Sequence, residues 1–109
     1  MTDGTSDTLA GCPALATAFD LLGKRWTALV LDVLATRPAR FCEIQRAVPG
    51  LSDRLLTERL RELSSYGLVD REPREGHVVY ELTPLGKRVL PAFDELRQWA
   101  LELDTVRAM

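Results

Sequence analysis

The hydrophobic period of this chain changes twice, and that limits the available folds more than any other feature. From Pro13 to Tyr66, apolar residues recur at the spacing of an amphipathic helix. From Leu68 to Leu82 they alternate, as in a half-buried strand pair, with a polar, glycine-containing tip at Arg74-Glu75-Gly76-His77. Beyond Thr83-Pro84 the helical spacing returns through Leu85, Val89, Leu90, Phe93, Leu96, Trp99, Ala100, Leu103 and Val106. The spacing predicts four helices, a β-hairpin and a last helix. The fold class is mainly α with a small β-hairpin (α+β), in a single domain of 109 residues.

Punctuation residues divide the helical part. Pro13 opens the first helix, Leu15, Ala18, Phe19 and Leu22 line it, and Gly23 ends it. The second helix is expected over 25–36, with Trp26, Leu29, Val30, Val33 and Leu34 inward, and Pro38 stops it. A short third helix over 40–48 turns Phe41, Ile44 and Val48 inward and ends at the turn pair Pro49-Gly50. Ser52 then caps a fourth helix, and Asp53 favours its positive first turn. Leu56, Leu60, Leu63 and Gly67 fall on one side of that helix. Arg54, Thr57, Glu58, Arg61 and Ser65 fall on the other.

A short helix, a Pro-Gly turn and a capped helix with a polar, basic outer face form a helix-turn-helix, and the hairpin makes it a winged one. An α-helix fits the major groove of B-DNA, where its N-terminal residues reach base edges. The net charge of −2 argues against a nucleic-acid partner, but its distribution does not. Residues 37–74 are the only net-positive third, and all eight of their cations are arginines. Arginine suits bidentate contacts to phosphate and guanine.

The motifs in order resemble the HxlR-type branch of the MarR-like winged-helix transcriptional regulators. They are Cys12-Pro13, Leu22-Gly23-Lys24-Arg25-Trp26, Arg40-Phe41, Pro49-Gly50-Leu51-Ser52, Leu56 to Leu63, Gly67-Leu68-Val69 and Tyr80 to Gly86, with Trp99 where the family often has a tryptophan. The resemblance covers about residues 12–103. It implies a bacterial cytosolic homodimer that represses or activates nearby genes. It also implies that Cys12 sits where some members keep a thiol that senses electrophiles or oxidants. The wing segment 74–77 is shorter than is usual in the family, and Cys42 stands where a small polar residue is commoner.

The candidate DNA-binding residues are Arg40, Ser52, Arg54, Thr57, Glu58 and Arg61, with Arg74 and His77 on the wing. Glu58 has two readings, acceptance from a cytosine amino group or pairing with Arg54 or Arg61 along the helix; the pairing is favoured. Cys12 and Cys42 are candidate thiol sensors, set against inert thiols as the alternative. The last helix carries more apolar surface than one small domain covers, so Phe19, Leu90, Phe93, Leu96, Trp99 and Leu103 are expected in a dimer interface. Two cysteines make no disulfide framework, which agrees with a cytoplasmic setting, and no secretory signal or membrane span is recognisable. The only histidine, His77, has no partner at metal-ligand spacing. There is no Gly-rich phosphate loop or nucleophile elbow, so no cofactor, metal or enzymatic chemistry is expected. The competing function is a winged helix used for protein contact alone. Residues 1–10 are expected to form a flexible arm ahead of the domain at 11–109, and the partners are double-stranded DNA, a second copy and a small reactive effector.

Overall fold

The computed structural model describes residues 11–109. The arm expected at 1–10 lies outside the described residues. The elements are α1 (Pro13–Leu22), α2 (Thr27–Thr36), β1 (Ala39–Arg40), α3 (Phe41–Ala47), α4 (Asp53–Ser65), β2 (Val69–Arg74), β3 (His77–Leu82), α5 (Pro84–Lys87) and α6 (Leu90–Ala108).

The core is built on the stripes that face inward from α2, α3 and α4. Val30, Leu31, Ile44, Leu56 and Leu63 are fully buried there, with Leu34, Val48, Leu51 and Leu60 around them. The inward stripe of α2 is Thr27, Val30, Leu31 and Leu34, while Leu29 is half exposed. This differs from the expected stripe for a local reason. Trp26 adopts φ 79, the left-handed region, so the helix begins after it and its phase moves by one residue. Trp26 is half-buried against the core, not part of the helical stripe.

The hairpin belongs to a three-stranded antiparallel sheet of order β1-β3-β2. Strand β1 was not foreseen, since two residues are too few to show a period. It pairs Ala39 with Tyr80 and Arg40 with Val79. Between β2 and β3, Val69 faces Leu82, Arg71 faces Tyr80 and Arg74 faces His77. The connection is a two-residue turn with Glu75 at φ 46 and Gly76 at φ 85, the paired positive values that match the twist of a tight hairpin.

The last helix is interrupted. Thr83 caps α5 by accepting from the Gly86 N–H at 3.0 Å, and α6 starts afresh at Leu90 with Pro91 in its first turn. Proline fits there because first-turn N–H groups have no helical partner. Phe93 is 9% exposed and Leu90 is packed on the core. These two residues, expected in a dimer interface, are therefore largely covered within the chain. Beyond Phe93, α6 is tied back to α2 by Arg97, whose Nη2 donates to Asp32 Oδ1 at 2.7 Å, while the remaining large apolar side chains of α6 are exposed. Phe93 is its one buried residue. The radius of gyration is 16.6 Å, against about 13 Å for a compact chain of this length.

Candidate nucleic-acid interface

Helix α4 is held at both ends. At its start the Ser52 side chain accepts from the Leu55 N–H at 3.1 Å, and Gln45 of α3 hydrogen-bonds Asp53. At its end the Leu68 N–H donates to the Leu63 carbonyl (2.9 Å) and the Gly67 N–H to the Ser64 carbonyl (3.0 Å), with Gly67 at φ 76. This is a Schellman closure, which needs a residue at ease in the left-handed region. In its middle, Arg59 donates from Nε to the Arg25 carbonyl at 3.0 Å, and Glu62 pairs with Lys24. Arg59 is thus largely covered and binds α4 to the loop between α1 and α2.

The face left to solvent carries Arg54, Thr57 and Arg61. Arg54 donates to Glu58 at 3.3 Å, so the intrahelical pairing of Glu58 is realised. Such an exposed pair is worth about 0–1 kcal/mol and opens readily. The Thr57 hydroxyl donates to the Asp53 carbonyl at 2.8 Å. Arg61 has no ion-pair partner among the described residues.

Arg40 lies beside this unit, exposed at the start of α3. Its N–H donates to Glu43 Oε1 at 2.8 Å. That backbone hydrogen bond holds the Glu43 carboxyl below the usual carboxylate range; partial burial opposes the shift, and Arg37, Arg40 and Arg46 add to it.

On the wing, His77 is exposed at the turn. Arg74 is engaged: its Nη2 lies 3.1 Å from Glu81 and 3.5 Å from Glu72. Arg71, absent from the sequence-derived candidates, is exposed without an ion-pair partner among the described residues. Strand alternation explains both. Arg71 shares a strand face with Val69, which turns toward α4, while Arg74 shares the opposite face with the acids Asp70 and Glu72. Counting from the buried Val69 would have separated the two arginines.

Between α4 and the base of the wing lies a groove of about 410 Å³, lined by Thr57, Leu60, Arg61, Ser64, Val69, Asp70, Arg71 and Tyr80. The structure therefore brings together Arg54, Thr57 and Arg61 on one helix face and Arg61 with Arg71 in one groove. Among the described residues, no group of three His, Cys, Asp or Glu side chains is placed to hold a metal ion.

Cys12 is an exposed free thiol at the N-cap of α1, and Cys42 is an exposed free thiol at the second residue of α3. The cations of the loop that follows α1 are engaged within the chain: Lys24 with Glu62, and Arg25 stacked 4.8 Å over the Trp26 ring. Phe19 of α1 and Leu96, Trp99 and Leu103 of α6 are exposed, as are Leu15, Leu101 and Val106. No helix among the described residues is long and apolar enough to cross a membrane.

Comparison with known proteins agrees with this architecture. The HxlR-like helix-turn-helix family matches residues 21–106. The HTH-type transcriptional regulator YodB of Bacillus subtilis is 40% identical over 92 residues, covering 82% of each chain. The crystal structure of quinone-bound YodB superposes with a TM-score of 0.77 at 41% identity, over 84% of this chain and 99% of that one. The redox regulator HypR in its oxidized form gives a TM-score of 0.76 at 30% identity, over 84% and 96%. These relatives are transcriptional regulators and not enzymes, and the winged-helix fold is theirs. The chain belongs to the HxlR-like helix-turn-helix family of transcriptional regulators, in which DNA binding is the shared function.

Proposed function

We propose that two copies of this chain bind duplex DNA together, with α4 of each in the major groove and the β2–β3 wing beside it. The observation that carries the reading is the rigid mounting of α4. Its two caps and the Arg59 tie fix the helix while Arg54, Thr57 and Arg61 stand clear in solvent. Arg54, nearest the helix start, reads a base edge, and such a contact discriminates by about 1–3 kcal/mol. Ser52 acts through the cap. Glu58 positions Arg54, and Arg40 and His77 border the contact surface.

The second copy is called for by α6. A helix of 19 residues with one buried side chain gains little stability from its own chain, since packing supplies most helical stability in proteins. Phe19, Leu96, Trp99 and Leu103 form the joining surface. Two-fold symmetry then makes the operator a pseudo-palindrome, with half-site centres about 10 bp or a multiple apart. The setting is the cytoplasm.

Control is assigned to Cys12, which is exposed at a helix start beside the joining surface. A thiolate is the reacting form of a cysteine, and an exposed thiol is open to reagents in solution. Among the relatives, YodB has been crystallised in a quinone-bound form and the redox regulator HypR in an oxidized form. Addition of the Cys12 sulfur to a quinone ring, or oxidation of Cys12 with Cys12 of the second copy to an intersubunit disulfide, diamide taking up the two electrons and two protons to become a hydrazine, shifts one copy against the other and spoils simultaneous contact with both half-sites. Cys42 is the second thiol open to the same reagents. The test is a gel-shift titration on DNA upstream of the gene, with diamide or a quinone, using wild type, Cys12→Ser and Cys42→Ser. The expected result is a response in wild type and Cys42→Ser and none in Cys12→Ser. An equal response of Cys12→Ser places the sensor elsewhere. Absence of salt-dependent binding to any duplex favours a protein-contact module instead.

A further inference from the structure

We propose that the groove between α4 and β2 is a phosphate seat: one phosphate of the DNA backbone enters it and is held between the guanidinium groups of Arg61 and Arg71. This rests on the DNA-binding reading above and specifies how the wing takes part in it.

Five of the eight arginines in the basic middle third already face a carboxylate within the chain. Arg37 and Arg40 face Glu43, Arg54 faces Glu58, Arg59 faces Glu62, and Arg74 faces Glu72 and Glu81. Arg46, Arg61 and Arg71 have no ion-pair partner among the described residues. Two of these three, from different elements, line the same concavity. The neutral hydroxyls of Thr57, Ser64 and Tyr80 share its wall, and Asp70 is its single acid. Two cations against one anion leave the groove net positive.

The occupant is read from the form and placing of the groove. It opens beside the face of α4 that carries Arg54 and Thr57, so a duplex laid on that face brings its backbone over the groove. A phosphate has oxygens on several sides, and two guanidinium forks approaching from a helix and a strand each find an acceptor pair. Arg74 must leave two carboxylates before it meets any phosphate; Arg71 leaves none. The anchoring arginine of the wing is therefore at its base, and the turn at Glu75-Gly76 contributes less. Because a phosphate contact carries no sequence information, this seat sets register and affinity while the exposed face of α4 does the reading.

The experiment measures binding to two short fluorescent duplexes, one from the upstream DNA and one of arbitrary sequence, over a range of salt concentrations. The proteins are wild type, Arg61→Gln, Arg71→Gln, the double variant and Arg74→Gln, each checked for an unchanged melting curve. Arg61 and Arg71 are exposed, so folding is expected to survive. Arg71→Gln is expected to lose about three- to tenfold in affinity on both duplexes. The double variant is expected to reduce the slope of log affinity against log salt by about 0.9 per bound protomer, the value for one phosphate. Arg74→Gln should stay within about twofold of wild type. A reduction of about 1.8 per protomer in the double variant means two separate phosphates and overturns the shared seat. An unchanged slope in the double variant overturns the seat altogether, as does an Arg74→Gln loss equal to that of Arg71→Gln. If wild type itself shows no salt-dependent binding to either duplex, the DNA-binding reading has failed and the seat fails with it.

Discussion

Trp99→Ala probes the joining of two copies at its largest exposed side chain. Trp99 is 58% exposed in the single chain. A tryptophan presents up to about 250 Å², so about 145 Å² of it is open. At about 25 cal/mol per Å², complete covering of that surface contributes about 3.6 kcal/mol. Two-fold symmetry counts the residue twice, which sets a ceiling of about 7 kcal/mol per dimer. If a partner covers half of the open area, about 3.5 kcal/mol remains, or a weakening of the dimer dissociation constant by about 300-fold. The residue is not a member of the buried core, so the fold should be kept and the loss should appear mainly in association. Sedimentation velocity over a wide range of protomer concentrations reads this directly. Wild type should sediment as a dimer where Trp99→Ala is a monomer. A variant that dimerises within about threefold of wild type, or a wild type that stays monomeric throughout, refutes the reasoning.

Three further substitutions test the mounting of α4 and the joint behind it. Ser52→Ala removes the cap acceptor of the Leu55 N–H and should cost about 1 kcal/mol in urea unfolding, with a larger loss in DNA affinity than in secondary structure; an unchanged midpoint would show that water replaces the cap. Gly86→Ala places a Cβ 2.2 Å from the Leu68 carbonyl oxygen and should cost about 3 kcal/mol or more, because backbone must move. Gly67→Ala meets open space at φ 76 and should cost about 1 kcal/mol through strain alone. Melting curves at equal protomer concentration that reverse this order would contradict the packing described at Gly86.

The helix-turn-helix and its wing are legible in the sequence because their signals are local. Ser52 and Gly67 bracket α4, and the leucines 56, 60 and 63 fix its phase. Less legible are features set by chain path and by distance. The left-handed Trp26 shifts the buried stripe of α2 by one position, and no period reveals it. Strand β1 exists only because β3 runs alongside it. Phe93 reads as surplus apolar surface in the sequence, and only the packing of the folded chain shows that it is 9% exposed and part of the core. The pairing of Arg74 and the availability of Arg71 follow from a strand face, and reading that face requires knowing that Val69 points inward. Arg59 looks like one more basic residue of α4 and is in fact a tie to the Arg25 carbonyl.

The joint at Gly86 gives the molecule a lever. The Thr83 N–H donates to the Leu68 carbonyl at 3.0 Å, and the Thr83 hydroxyl donates to the Gly67 carbonyl at 2.6 Å. The foot of the last helical segment is thus seated on the turn that closes α4, with no room for a methyl group between Gly86 and the Leu68 carbonyl. The helix that starts at Leu90 is 19 residues long, or about 28 Å at 1.5 Å per residue. A tilt of about 5° at the foot carries its far end through about 2.4 Å, and the reverse holds for a push at the far end. In the proposed dimer, an adduct no larger than a quinone ring, wedged where the two last helices meet, would have that mechanical advantage over the two α4 helices. Sensing chemistry placed there would lie well away from the proposed DNA surface and still change how the two helices are set.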